Sequence, residues 1–101
     1  MKAVKYKITC FDGVLEWTHG MGKTVDEIFI PGKHLCFNTV KGLNVFKSNG
    51  PRSKEENKEI EIPDDICRSL GLLLNAIEGI YKEKEVLLQE ITKANLFKEE
   101  K

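Results

Sequence analysis

The sequence predicts an α+β protein: an antiparallel β-sheet of about five or six short strands in residues 1–62, followed by one long C-terminal helix over residues 63–98. Three observations predict it. Residues 2–11 alternate apolar and polar side chains at the period of a half-buried strand; glycine-bearing turn pairs recur at Asp12-Gly13, Pro31-Gly32 and Lys41-Gly42; and from Pro63 onward the apolar period becomes helical. With 101 residues, 41% of them hydrophobic and 32% charged, the chain has room for one modest core. Sheet and helix are therefore expected to form a single folding unit, with no internal repeat and no second core.

In the first strand Val4, Tyr6, Ile8 and Cys10 point one way and Lys5, Lys7 and Thr9 the other. Asp12-Gly13 suits a two-residue type I′ turn, which pairs Phe11 with Val14, Cys10 with Leu15, Thr9 with Glu16 and Ile8 with Trp17. The following loop, HGMGKT, invites comparison with a phosphate-binding P-loop. Trp17 stands where that motif needs glycine, and residues 25–30 read as a strand where the motif needs a helix. Nucleotide hydrolysis is not expected, although His19, Lys23 and the amides of Gly20 and Gly22 remain candidate anion donors.

Residues 26–30 and 33–40 form a second expected hairpin, with Pro31-Gly32 central in a type II turn. Lys41-Gly42 turns the chain into residues 43–47. Leu35, Phe37 and Phe46 are expected to share a face, which leaves Asn38 opposite Val45 among apolar side chains. Residues 48–58, SNGPRSKEENK, have loop composition and read as the hinge to a last short strand, residues 59–62.

Pro63 suits a first helical turn, and Asp64 and Asp65 lie where the helix dipole favours negative charge. Numbered in heptads, Ile66, Leu70, Leu73, Ile77, Ile80, Leu87, Ile91 and Ala94 occupy the a and d positions, interrupted only by Lys84. Cys67, Leu74, Tyr81 and Leu88 widen the stripe. A continuous helix of this length would run about 50 Å, longer than a domain of this size is wide. Its projecting apolar side is expected to be buried against sister chains in a homo-oligomer, through Ile66, Leu70, Leu73, Leu74, Ile77, Ile80, Tyr81, Leu87, Leu88 and Ile91. The competing parse breaks the helix near Gly79 and folds it back as a helical hairpin.

Residues 60–72, IEIPDDICRSLGL, resemble the strand, proline, helix and Leu-Gly segment of AbrB/MazE-type swapped-hairpin DNA-binding regulators, with Ile62-Pro63, Arg68 and Leu70-Gly71 in the matching places. Those domains place a further strand after the short helix, whereas here the apolar period continues through Ile77. The match is read as a shared way of starting a helix after a strand.

Net charge is zero but divided: residues 1–52 hold eight Lys/Arg against four acids, and residues 53–101 hold eight against twelve. That is not the overall basic excess of a typical nucleic-acid binder. Cys10, Cys36 and Cys67 are widely spaced among apolar neighbours and read as free buried thiols. Cys10, Cys36, His19 and His34 lack metal-site spacing, so neither metal nor cofactor is expected. Neither a signal peptide nor a membrane span is legible, which gives a cytoplasmic expectation.

The acids lie mostly in mixed-charge runs, and no nucleophile elbow or HExxH pair is present. Cys67 lies near a helix start but beside the apolar stripe, which favours packing over reactivity. The expectation is therefore a non-enzymatic, homo-oligomeric binding protein that sequesters or masks a target, either an anionic small molecule such as a nucleotide or a protein. Its candidate ligand-binding residues are His19, Lys23, Lys33, His34, Lys41, Lys47, Arg52 and Arg68. The alternative is a DNA-binding regulator that dimerises through the helix and uses Lys2, Lys5 and Lys7.

Overall fold

A computed structural model describes residues 1–10, 23–40, 42–53, 57–76 and 81–97. Its five strands are β1 (Lys2–Cys10), β2 (Lys23–Ile30), β3 (Leu35–Asn38), β4 (Asn44–Lys47) and β5 (Lys58–Glu61), followed by helices α1 (Asp64–Asn75) and α2 (Tyr81–Lys93). The strands form one antiparallel sheet in the order β4-β3-β2-β1-β5. The α+β class and the sheet-then-helix order agree with the sequence. Asp12-Gly13 and residues 14–17 lie outside the described residues; within them, Ile8 pairs with Val25 and Cys10 with Lys23.

Strand alternation sorts the side chains onto two faces. Ala3, Ile28, Ile30, Leu35 and Phe37 pack with the helices, together with Ile62, Ile66, Leu70, Leu87 and Ile91. Tyr6, Ile8, Phe29 and Cys36 form a second buried cluster, flanked by Val4, Val25, Val40 and Phe46. This corrects the expectation of no second core. Both faces of the central strands are covered, which is why all four residues of β3 are buried.

The register of β3 and β4 also departs from expectation. Phe37 pairs with Val45 and Cys36 with Phe46, so Phe46 lies on the face opposite Leu35 and Phe37. The reason is polar matching: Asn38 pairs with Asn44, whose Nδ2 donates to Asn38 Oδ1 at 2.9 Å. A slip that set Asn38 against Val45 would forfeit that bond. Gly42, at φ +76°, supplies the left-handed residue at the end of this turn.

Pro31–Lys33 is a short 3-10 turn, not the expected type II turn, and its left-handed residue is His34 (φ 52°, ψ 48°). Because Ile30 pairs with Leu35, four residues must close the loop, and proline's fixed φ suits the start of a helical turn.

The single helix over 63–98 is contradicted. α1 ends at Asn75, the backbone of the following Ala76 is extended (φ −78°, ψ 144°), and α2 begins at Tyr81. The stripe expected to meet sister chains instead meets the chain's own sheet: Ile66, Leu70, Leu73, Leu87 and Ile91 are buried there, and Leu74 and Leu88 pack at its margin. Ile77, Ile80 and the side chain of Tyr81 lie outside the described residues. A hairpin buries the stripe without projecting it into water, and each large apolar side chain so covered contributes about 1.5–3 kcal/mol. α2 ends at Lys93, and Asn95 just beyond it is held left-handed at φ 58°, after which Phe97 sets its ring edge-on to Phe37 at 5.4 Å. No helix among the described residues is long and apolar enough to cross a membrane.

Candidate anion-binding site

The β2–β3 turn lies at the same end of the sheet as the exit of β4, because Leu35 pairs with Lys47. The two are tied together by the Ser48 N–H, which donates to the His34 carbonyl at 3.0 Å. α1 crosses the same end, with Gly71 facing the turn. A Cβ on Gly71 would lie 3.7 Å from Lys33 Cδ and 3.8 Å from its Nζ, so the lysine stem runs along the helix surface at ordinary contact distance.

These three elements enclose an open cleft of about 480 Å³, lined by Lys33, His34, Lys47, Arg68, Leu72 and Asn75 among others. Four of the eight candidate ligand-binding residues, separated by up to thirty-five positions in sequence, therefore meet at one place. All four are exposed, and among the described residues no carboxylate lines the cleft. Three fixed positive charges in one concavity raise the local potential well above that of scattered surface lysines. The Asp64 carboxyl is held below its usual range chiefly by the terminal amine, with a smaller contribution from Arg68.

The other wall is less polar. Leu72 is exposed, Leu74 half-buried, and the Asn75 Nδ2 donates to the Gly71 carbonyl at 3.1 Å. The cleft thus sets donors for an anion beside apolar surface for the organic part of a small molecule, within the size range of ligand sites.

Arg52 is placed elsewhere. It reaches across the face of the sheet away from the helices and holds Glu27 with two charge-assisted bonds, Nε to Oε1 at 2.7 Å and Nη2 to Oε2 at 2.5 Å. Its guanidinium also lies 4.7 Å above the Phe46 ring. His19 and Lys41 lie outside the described residues, as does the side chain of Lys23. Lys5 and Lys7 both approach Asp26, at 3.9 and 3.1 Å, while Lys2 lies on the opposite face near Glu59 at 3.5 Å. Three lysines divided between two faces and set beside acids lend the DNA reading no support.

The sequence reading missed Glu27. It is wholly buried, and besides Arg52 it accepts from Tyr6 Oη at 2.6 Å and Asn38 Nδ2 at 3.1 Å. The Tyr6 hydroxyl also lies 3.2 Å from Cys36 Sγ. Burial, aided by the Cys36 and Glu27 contacts, pushes the Tyr6 phenol up, and burial pushes the Cys36 thiol up. The signal was available: Glu27 shares its strand face with Val25 and Phe29, and a carboxylate in an apolar column needs partners. Cys36 and Cys67 are free and buried. Compared with known protein families, curated proteins and solved structures, the chain matches none.

Proposed function

We propose that the protein is a non-enzymatic binding protein that captures a small phosphate-bearing molecule, a nucleotide being the type that fits best, in the cleft between the Pro31–Lys33 turn, β4 and α1. One observation carries the reading: Lys33, Lys47, Arg68 and His34 converge on a single open concavity with no acid among the described residues of its wall. A phosphate there meets ammonium and guanidinium donors from three directions, and Arg68 can offer two parallel N–H groups to two phosphate oxygens. Leu72 and Leu74 supply surface for a base or sugar. The described lining holds charge and donors but neither a thiol nor a carboxylate, which favours holding over turnover. Such a protein acts by lowering the free concentration of its ligand.

Isothermal titration of the full chain with pyrophosphate and with ATP tests this. Binding is expected to weaken as salt rises, because the contacts are largely ionic. Arg68→Ala and Lys47→Ala are each expected to weaken it about tenfold or more, the scale of one hydrogen bond to a charged group. Lys93→Ala, which removes an equal charge from the exposed end of α2, is the control and is expected to leave it unchanged. Absence of binding at low salt, or equal weakening by all three variants, overturns the reading.

A further inference from the structure

Two of the most exposed large apolar side chains among the described residues, Leu72 (68% exposed) and Val86 (56%), line the same groove of about 470 Å³ between α1 and α2. Single exposed hydrophobes are ordinary on a protein surface, but a pair meeting in one apolar groove asks for a cover. The groove's α2 side carries Glu83 and Glu90, both exposed. Leu72 also borders the basic cleft, so its other side carries Lys33, Lys47 and Arg68. The surface therefore runs from acidic rim through apolar centre to basic rim.

We infer that this surface is covered by a second copy of the chain in a two-fold dimer. A two-fold axis lying along the groove, at right angles to the Leu72–Val86 line, sets Leu72 of each copy against Val86 of the other, the acidic rim of each copy facing the basic rim of the other. An isologous contact requires such self-complementarity, and one chain here supplies both halves. With sixteen Lys/Arg against sixteen Asp/Glu, two copies approach without net repulsion. The contact draws on the same Lys33, Lys47 and Arg68 that line the cleft, so a bound phosphate and the acidic rim of a second copy compete for them. It differs from the coiled contact expected from the heptads, because the residues at its centre are those the core leaves exposed.

Sedimentation velocity of the full chain at low salt, in buffer free of phosphate, is expected to show a species of twice the 11.5 kDa chain mass at tens of micromolar. L72E/V86E, both at exposed positions, is expected to give a monomer with unchanged circular dichroism. E83K/E90K and K33E/R68E are each expected to be monomeric alone and to form a mixed dimer together, since each then presents rims of one sign to rims of the other. A wild-type monomer, a dimer that survives L72E/V86E, or charge variants that do not combine would each overturn the inference.

Discussion

At the scale of single residues, the centre of the sheet is held by a charge that had to find partners. Glu27 is sealed from water and satisfied on both oxygens, so removing Arg52 strands a buried carboxylate. A fully buried pair broken this way costs about 3–5 kcal/mol; with the Arg52 side chain 47% exposed, Arg52→Ala is expected to cost about 2–3 kcal/mol in urea unfolding. A loss below about 0.5 kcal/mol, the level of an ordinary surface substitution, contradicts that role. The same cluster sets a pH dependence. Tyr6 and Cys36 are held protonated in the folded state, whereas in the unfolded chain the thiol ionises near pH 8.5 and the phenol near about 10. The unfolded state then binds fewer protons, so the stabilisation is complete below about pH 8.5 and falls as pH rises. The urea midpoint is expected to drop between pH 8 and about 10, less steeply in Cys36→Ala; equal slopes would contradict the assignment.

Among the elements, those fixed by local chemistry were legible and those fixed by choice of partner were not. The alternation of β1, the glycine turn at Gly42 and the Pro63-Asp64-Asp65 helix start all read directly from the chain. The apolar stripe of α1 and α2 was legible as residues, but not the body it would meet: a heptad says that a face must be buried and leaves open whether the cover is a sister chain or the chain's own sheet. Asn95 was the overlooked stop, since asparagine tolerates the left-handed backbone that ends a helix. Phe46 was misplaced because the asparagine pair that sets its register involves two residues of no apolar signal. Gly71 lies inside α1 at a site where a methyl group would only touch Lys33, at 3.7 Å. Gly71→Ala is therefore expected to stabilise the protein by about 0.5–1 kcal/mol through reduced backbone entropy; a loss of stability would show that the approach is tighter than ordinary contact.

For the molecule as a whole, the organising fact is that the β2–β3 turn, the end of β4 and α1 meet at one corner. Lys33, His34, Lys47 and Arg68 were each legible as cations or donors, but their convergence depends on the Leu35 to Lys47 register and on α1 crossing that end, and neither follows from composition. Arg52 carries the same chemistry and was drawn instead to Glu27, which shows why residue type alone does not select a site. The corner is also where the two proposals meet, since Leu72 borders both the basic cleft and the apolar groove. The most direct measurement of the central claim is a pyrophosphate titration of isotopically labelled protein followed by nuclear magnetic resonance. Saturable shifts confined to Lys33, His34, Lys47, Arg68 and their neighbours are the expected result. Shifts spread evenly over lysines elsewhere, such as Lys58 and Lys93, or no saturable shift at all, would contradict it.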